Sequence, residues 1–386
     1  MSNPFSFSTV PHLICQLGAT RQLGELIKTQ FAQITRVLIV TDAGFVSTGQ
    51  LMQPINSLRE QGYDVTVFSD VIADPPEAVV LSAATQANTK QIELVIGFGG
   101  GSSMDVAKLI AVLAESDQTL STMYGIGNVK GPRLPLVQIP TTAGTGSEAT
   151  AVSIVTTGET TKMGVVSPIL YADLAILDAE LTTGLPVPIT AATGIDAMVH
   201  AIEAYTSKHK KNPLSDALAR QALHLLSRNL LTVCVDGKNL AARQAMLLGA
   251  MLAGQAFSNA PVAAVHALAY PIGGIFHVPH GLSNSLVLPH VMRFNAPAAE
   301  SLYAELAEVV LPGIGGTNAA KTETLISYME SLAKSAAIAT HLREVGITIA
   351  DLGRLADDAM LQTRLLGNNP RPVSRDDAYA IYKAAW

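Results

Sequence analysis

The sequence contains little cysteine and little charge, and it has no long uninterrupted hydrophobic run. Only two cysteines occur, Cys15 and Cys234, far apart in the 386-residue chain. This argues against a disulfide framework and predicts a reducing compartment, the cytoplasm. No stretch of about 18 apolar residues is free of polar interruptions, so we expect no membrane-spanning helix. Residues 1–7 lack a positively charged segment followed by an apolar one, so we expect no secretory signal there.

The low charge content also restricts the possible partners. Charged residues make up 15% of the chain, and the net charge is -6. A nucleic-acid-binding protein needs a basic face, which this composition does not suggest. Hydrophobic residues make up 48%, enough for the core of one large domain or two ordinary ones. We therefore expect a globular protein that acts on a small molecule.

The predicted secondary structure changes near residue 185. Before that point, short β-branched runs alternate with helical stretches, which predicts a parallel sheet covered on both faces. The predicted strands are 37–41, 64–68, 93–97 and 136–139, with 152–156, 162–166 and 174–177 as a further, antiparallel addition. Beyond it, helical periods dominate, as at 191–205, 215–230, 240–257 and 301–309. We predict an α/β dinucleotide-binding domain over 1–185 and an all-helical domain over 186–386.

Two common nucleotide-binding motifs are missing, and a different glycine-rich loop stands in their place. Ser102 occupies the position of the third glycine of G-x-G-x-x-G, and no P-loop lysine follows. Residues 97–105 nevertheless join a predicted strand directly to a helix. Glycines let the backbone approach a phosphate, and the helix N-terminus favours an anion. The loop predicts phosphate binding; the alternative is a simple turn in which Ser102 or Ser103 caps the helix.

A second polar loop supports nucleotide binding. Residues 139–148 follow the strand 136–139 and carry four hydroxyl side chains and two glycines. Ligands of open α/β sheets bind at the carboxyl ends of the strands. Asp42 closes the first strand, where a carboxylate accepts from ribose hydroxyls and repels a 2′-phosphate. This indicates NAD rather than NADP, although Asp42 could instead cap a helix.

The second half contains a candidate metal site, although the HEXXH pattern of zinc proteases is absent. Asp196 and His200 are four residues apart in a helical stretch, so they share one face. His266, His277 and His280 follow. Three imidazoles and one carboxylate suit a four-ligand divalent site. The alternative is that these histidines are ordinary hydrogen-bonded core or surface residues.

Together, these motifs resemble those of the iron-containing alcohol dehydrogenases. The matching segments occur in order along essentially the whole chain: Gly99-Gly100-Gly101-Ser102 with Asp105 and Lys108, residues 140–145, Asp196-x-x-x-His200, residues 266–281 and Leu288-Pro289-His290. The resemblance implies a Rossmann-like parallel sheet followed by an all-helical domain, the two-domain plan of dehydroquinate synthase. It also implies hydride transfer between a primary alcohol and NAD, and a homodimer or larger homo-oligomer.

The resemblance assigns the site residues. It implies that Asp196, His200, His266 and His280 bind the metal, usually Fe(II), although such a donor set also takes zinc. It further implies NAD contacts from Asp42, Gly99, Gly100, Gly101, Ser102, Thr141, Thr142, Thr145, Ser147, Lys162 and Leu181. We place Asp105 of the glycine-rich motif in the same cofactor site.

One position departs from the family pattern. Many members carry a histidine four residues after the first ligand of the second segment, and here that residue is Tyr270. That histidine is often assigned to proton relay or to contacts beside the nicotinamide. Either the Tyr270 hydroxyl or His277 would take the catalytic relay role here, unless His277 is a surface loop residue. Glu203, on the helix of Asp196, is a weaker candidate for a partner of the ligands.

The implied mechanism uses the metal as a Lewis acid that stabilises the alkoxide from which hydride leaves. The rival dehydrogenase functions are a hydroxyacid–oxoacid transhydrogenase and a polyol or hydroxyacid dehydrogenase. A lyase of the dehydroquinate-synthase kind would need several basic residues for its substrate, and only Lys108, Lys162 and Arg293 are candidates. A non-catalytic nucleotide-binding protein is the last alternative. The sequence leaves open which alcohol is the substrate.

Overall fold

The computed structural model describes residues 4–158 and 161–386, and the chain forms two compact units. The α/β unit comprises Ser8–Thr142 and Gly146–Thr183. The helical unit comprises Gly184–Trp386 with residues 4–7 and Ala143–Thr145. Among the described residues, no helix is both long enough and apolar enough to cross a lipid bilayer.

The α/β unit alternates strands and helices as the sequence predicts. Its strands are β1 (His12–Cys15), β2 (Arg36–Asp42), β3 (Asp64–Val71), β4 (Leu94–Gly99), β5 (Gly125–Ile126), β6 (Leu136–Pro140), β7 (Val152–Thr157), β8 (Thr161–Val166) and β9 (Leu174–Leu177). Its α-helices are α1 (Leu23–Gln30), α2 (Ala43–Ser47), α3 (Met52–Glu60), α4 (Glu77–Thr89) and α5 (Gly101–Leu113).

Six strands form one parallel sheet in the order β1-β9-β6-β4-β2-β3. Every residue of β4, β6 and β9 is buried, because helices cover both faces of the sheet. Ile96 of β4 packs in a core cluster with Leu23 of α1 and Leu58 of α3. On the other face, a Cβ on Gly97 would stand 2.9 Å from Ala107 of α5. This arrangement makes β2, β4 and β6 neighbours, so their carboxyl ends meet at one edge.

The structure corrects the predicted strand arrangement in two respects. Residues 152–157 and 161–166 pair antiparallel as expected, with β5 added parallel to β8. The expectation that 174–177 belongs to this addition is wrong, since β9 lies inside the main sheet, parallel to β6 and β1. The sequence analysis also missed β1. Its four residues are mostly exposed at the sheet edge, so they carry no buried apolar pattern.

The helical unit contains the longest helices of the described residues, followed by three short ones near its end. Its helices are α6 (Val187–Thr206), α7 (Pro213–Val235), α8 (Leu240–Asn259), α9 (Ala264–Phe276), α10 (His280–Val310), α11 (Asn318–Ser335), α12 (Leu352–Ala359), α13 (Thr363–Leu366) and α14 (Arg375–Ala385). Local signals explain several starts: the Asn212 side chain caps α7 with Pro213 in its first turn, and Asn239 caps α8. The predicted fold class, a parallel α/β sheet plus an all-helical region, is confirmed.

Candidate functional site

The helical unit brings the four predicted metal ligands together. Asp196 and His200 lie one turn apart on α6, His266 lies in the first turn of α9, and His280 is the first residue of α10. One ligand atom from each side chain lies within 4.8 Å of every other. Three helices therefore present one carboxylate and three imidazoles to a common point.

The cluster is largely removed from water. Asp196, His200 and His266 are each at most 4% exposed. Burial raises the pKa of Asp196, but the surrounding imidazoles and an amide hydrogen bond outweigh it, so the net pKa lies below its usual value. Burial lowers the pKa of His200 to about 4, which makes its imidazole neutral at physiological pH. An ionised carboxylate and a neutral imidazole are the forms that bind metals.

Neighbouring side chains fix the orientation of two of the histidines. One oxygen of the buried Glu203 carboxylate lies 2.6 Å from Nδ1 of His266, and the other accepts from the Val265 amide at 2.7 Å. This contact places the imidazole proton on Nδ1 and leaves Nε2 facing the cluster. The ring of His200 stacks on Phe257 with 4.4 Å between centroids. Glu203, predicted as a weaker candidate for a partner of the metal ligands, thus contacts one of the four donor side chains directly.

The residues present fit a divalent metal. The Asp196 Oδ1 atom lies 3.8 Å from Nε2 of His280 and 4.0 Å from Nε2 of His200. Ligand bonds of about 2.1 Å in tetrahedral geometry place donors about 3.4 Å apart. The four donors, which lie within 4.8 Å of one another, would therefore approach one another by up to about 1.4 Å on binding. The two buried carboxylates, Asp196 and Glu203, also balance the charge of one divalent cation.

Asn284 is a further polar residue at the cluster that was not predicted from the sequence. It lies one turn after His280 on α10, and its Nδ2 donates to Asp196 Oδ1 at 2.6 Å. The same nitrogen is 3.3 Å from Nε2 of His266 and 3.2 Å from Nε2 of His280. The signal was available, because His280 and Asn284 repeat the four-residue spacing of Asp196 and His200.

The two candidate relay residues occupy different environments. The Tyr270 ring lies beside His280, with 5.9 Å between centroids, on the same helix as His266. His277 is exposed and ends α9 in the left-handed conformation, with φ 56°. Its imidazole does not belong to the cluster of four donor side chains. The geometry therefore brings Tyr270, but not His277, to the candidate metal centre.

In the α/β unit, the predicted cofactor loops follow three neighbouring strands. Asp42 ends β2, the glycine-rich loop follows β4, and the amide of Thr141 after β6 donates to Gly99 O at 2.9 Å. A Cβ on Gly100 would stand 3.7 Å from Thr142 Oγ1. Asp42, Gly99, Gly100, Thr141 and Thr142 thus share the carboxyl edge of the sheet, where nucleotides bind in such folds.

The start of α5 favours an anion. Its N-cap is Gly100 and no side chain caps it, so the predicted alternative of a serine cap at Ser102 or Ser103 is wrong. Uncapped amides at the first turn, including those of Gly101 and Ser102, are suitable donors to a phosphate. A Cβ on Gly99 would stand 2.6 Å from Ser103 Oγ, which explains the need for glycine at that position.

Asp42 combines the two roles that its position suggested. Its Oδ1 accepts from the Phe45 amide at 2.8 Å and caps α2. Its Oδ2 points towards the glycine loop, 3.6 Å from where a Cβ on Gly99 would stand. One oxygen thus fixes the side chain while the other faces the loop, so the capping alternative and the ribose-binding prediction are compatible.

Two predicted cofactor residues, Asp105 and Ser147, form a network with a buried lysine. Ser147 Oγ donates to Asp105 Oδ1 at 2.6 Å and accepts from Lys108 Nζ at 2.8 Å. Lys108 also donates to Thr150 Oγ1 and to Val152 O. Burial lowers the pKa of this lysine, against the opposing effect of Asp105. The network ties α5 to the loop after β6.

The remaining predicted cofactor contacts are Lys162, Leu181 and Thr145. Lys162 Nζ lies 2.6 Å from a carboxylate oxygen of Asp74. Leu181 packs in the core cluster on one face of the sheet. Thr145 belongs to the helical unit, as does Gly144, where a Cβ would stand 2.6 Å from Cβ of Thr193 on α6.

The basic residues weighed for a lyase do not form an anion site. Lys108 is buried in the network just described, Lys162 pairs with Asp74, and Arg293 pairs with Glu330 on the surface of the helical unit. Each has its charge matched locally. The α/β unit thus contains a parallel sheet suited to a nucleotide, and the helical unit contains a carboxylate–imidazole cluster suited to a divalent metal.

The comparisons with known proteins agree. Residues 11–179 match the family model described as iron-containing alcohol dehydrogenase, and residues 190–386 match its C-terminal model. The chain is 41% identical to long-chain-alcohol dehydrogenase 1 of Geobacillus thermodenitrificans (strain NG80-2), over 96% of this chain and 93% of that protein. The chain therefore belongs to the iron-containing alcohol dehydrogenase family, as its motifs predicted.

Solved structures support the same placement. A 1,3-propanediol oxidoreductase matches with a TM-score of 0.95 at 34% identity, covering 100% of both chains. A sulfoacetaldehyde reductase from Bifidobacterium kashiwanohense, solved in complex with NAD+, matches with a TM-score of 0.89 at 27% identity. It covers 100% of this chain and 99% of its own. The protein is an alcohol dehydrogenase of this family.

Proposed function

We propose that this protein is an NAD-dependent, iron-dependent alcohol dehydrogenase that interconverts a primary alcohol and an aldehyde. The observation that carries the proposal is the buried convergence of Asp196, His200, His266 and His280. Bound metal would supply Lewis acidity towards the substrate oxygen, and NAD would accept the hydride. Iron is proposed from the family, since the donor set alone also suits zinc.

In this proposal the α/β unit holds the cofactor. The uncapped amides at the start of α5 bind the pyrophosphate, and the Oδ2 of Asp42 accepts from the ribose hydroxyls. A 2′-phosphate beside the Asp42 carboxylate would be repelled, so NAD is favoured over NADP. Lys162 and Leu181 stay proposed cofactor contacts on the family resemblance, although Lys162 pairs with Asp74 and Leu181 packs in the core cluster.

The helical unit positions the substrate oxygen and its proton. Glu203 holds His266 in one tautomer, so that Nε2 remains the donor to the metal. Tyr270 is the proposed relay for the hydroxyl proton, because its ring adjoins His280 whereas His277 is exposed. A tyrosine hydroxyl donates and accepts a hydrogen bond, as a relay requires.

The proposed substrates are primary alcohols and their aldehydes. The similar proteins are named for long-chain alcohols, 1,3-propanediol and sulfoacetaldehyde, so substrate length varies within the relatives. We also propose a cytoplasmic location, from the two sparse cysteines, and a homodimeric or larger assembly, from the family resemblance.

The test is NADH formation at 340 nm with a panel of primary alcohols, diols and hydroxy acids. The protein is purified anaerobically, stripped with a chelator and reloaded in parallel with Fe²⁺ or Zn²⁺. We expect turnover that requires metal and NAD and is lost in His266→Ala. His341→Ala, at a half-buried histidine outside the cluster, is the matched control and should retain turnover.

Two outcomes would contradict the proposal. Equal turnover with and without metal would remove the four-residue cluster from the mechanism. Bound metal and bound NAD with no NADH release from any alcohol would favour a transhydrogenase, which passes hydride between two substrates. Adding an aldehyde or oxoacid as hydride acceptor would then restore alcohol oxidation.

A further inference from the structure

A buried amide contacts three of the four donor side chains at the candidate metal centre. Asn284 has no exposed surface. Its Nδ2 donates to Asp196 Oδ1 at 2.6 Å and lies within 3.3 Å of Nε2 of both His266 and His280. Hydrogen bonds to an ionised carboxylate are stronger than those between neutral groups. The amide therefore acts mainly on Asp196.

We propose that Asn284 is a positioning residue of the metal site, which holds the Asp196 carboxylate in place and so strengthens metal binding. The inference rests on the proposed metal site. Asp196 Oδ1 is the atom that faces Nε2 of His200 and of His280. Fixing this oxygen before the metal arrives reduces the conformational freedom that the carboxylate loses on binding.

The hydrogen bonding of Asn284 differs from that of a buried amide that only stabilises a fold. Among the described residues its Oδ1 is buried without a hydrogen-bond partner, which is unfavourable for a polar atom removed from water. Asn295, also buried on α10, pairs reciprocally with Asn369, with each amide nitrogen donating to the other's oxygen at 2.9 and 2.7 Å. The side-chain nitrogen of Asn284 thus donates a hydrogen bond at the cluster, whereas its side-chain oxygen has no hydrogen-bond partner among the described residues.

A neutral donor also suits the charge of the site. Asp196 and Glu203 carry the two negative charges that match a divalent cation. A lysine or arginine at position 284 would hold the carboxylate equally well but would repel the metal. The amide donates a proton without adding charge, which reconciles a fixed carboxylate with cation binding.

In the alternative orientation of the Asn284 side chain, the amide nitrogen and oxygen exchange places. It would turn Oδ1 towards the cluster and make Asn284 a direct ligand. Without a cation between them, two acceptor oxygens would then lie 2.6 Å apart, which is repulsive. The orientation with nitrogen towards Asp196 is therefore assigned, and the experiment below separates the two roles.

The test compares Asn284→Ala with Asn295→Ala, which removes a buried amide from the same helix away from the cluster. Affinity for Zn²⁺ and, anaerobically, Fe²⁺ is measured by chelator competition on the full-length protein. We expect the Kd for metal to rise about 10–100-fold in Asn284→Ala and to stay unchanged in Asn295→Ala. Both variants should lower Tm. If Asn284→Ala does not fold, Asn284→Ser, which is too short to reach Asp196, replaces it.

Visible absorption of the Co²⁺-loaded protein separates positioning from ligation. A positioning role predicts the same band pattern in wild type and variant at saturating Co²⁺, since the coordination number is unchanged. Stronger, shifted bands in the variant would indicate a lost ligand and overturn the proposal. An unchanged Kd in Asn284→Ala would also overturn it. Failure of the wild type itself to bind metal would instead contradict the proposed function.

Discussion

At the scale of single residues, the contact between Glu203 and His266 fixes the orientation of one proposed metal ligand, and a substitution of Glu203 tests its importance. Glu203→Gln keeps the size of the side chain but removes the charge that holds the Nδ1 proton of His266. We expect metal affinity to fall about 10–100-fold, because partners of metal ligands contribute at this level. Chelator competition measures the affinity, with Glu305→Gln as control, because the Glu305 carboxylate on α10 accepts from the Tyr205 hydroxyl and not from a donor histidine. Equal affinity in wild type and Glu203→Gln would show that the contact is only structural.

Glu148 provides a residue-scale prediction of pH dependence in the α/β unit. Burial raises its pKa from 4.5 to about 7 in the folded protein. Below pH 4.5 the carboxyl is protonated in both states. Between pH 4.5 and 7 it ionises only in the unfolded state, so its contribution to stability is lost as pH rises through this window. The loss is at most about 3 kcal/mol.

Glu148→Gln should remove this dependence. The stability of the variant relative to wild type should rise between pH 4.5 and 7 and then level off. Denaturant unfolding at a series of pH values, followed in the α/β unit, measures the difference. Glu60→Gln, at an exposed position of α3, should show no such trend. A flat difference for Glu148→Gln would mean that the carboxyl is ionised in the folded protein throughout.

At the scale of elements, the close approach of α10 to α6 sets the geometry of the metal centre. A Cβ on Gly281, the second residue of α10, would stand 2.5 Å from the Ala192 carbonyl oxygen of α6. Gly281→Ala should therefore push the start of α10, with His280 and Asn284, away from Asp196. We expect a loss of about 1–3 kcal/mol in stability and weaker metal binding.

Gly353→Ala is the matched control for this helix-start glycine. Gly353 is the second residue of α12, and a Cβ there would meet Arg375 Nη2 at an ordinary 3.5 Å. That variant should be neutral or stabilised by up to about 1 kcal/mol, since alanine is the better helix former. Thermal unfolding and metal titration of both variants provide the measurement. If the two variants behave alike, close packing at Gly281 does not position His280.

The elements also show what sequence patterns can predict. The buried strands β4 and β6 are mostly apolar, with Gln138 the polar residue of β6, and a polar loop follows each, so both the strands and the cofactor loops were predicted. The orientation of β9 was not, because four apolar residues carry no information about which strand they pair with. Helix α10 runs through Pro289 and Pro297, whereas only 301–309 was predicted, since proline usually interrupts a helix.

The candidate metal site could also be predicted only in part from the sequence. Asp196 and His200 share a helix face by spacing alone, but only the fold brings His266 and His280 to them. Asn284 was missed although it repeats, after His280, the spacing of Asp196 and His200, because asparagine has many uses and spacing alone does not reveal the contact with Asp196. The roles of Tyr270 and His277 could not be separated from the sequence, because exposure depends on how α9 ends.

At the scale of the whole molecule, the division into two units predicts that the two cofactors stabilise different parts of the chain. A ligand that binds only the native state stabilises it by about 2.7 kcal/mol at 100 times its Kd. Metal at the cluster should act on α6, α9 and α10, and NAD on β2, β4 and the start of α5. A single Tm would mix these effects, because a chain of two units need not unfold in one step.

Amide hydrogen exchange resolves the two effects. Adding Zn²⁺ to chelator-stripped protein should slow exchange in residues 196–206 and 264–276. Adding NAD without metal should slow exchange in residues 37–45 and 97–106. His266→Ala should lose the first protection and keep the second, and Asp42→Ala should do the reverse. Absence of metal protection in α6 and α9 would refute the assignment of the metal to the helical unit, because a ligand must protect the helices that hold it.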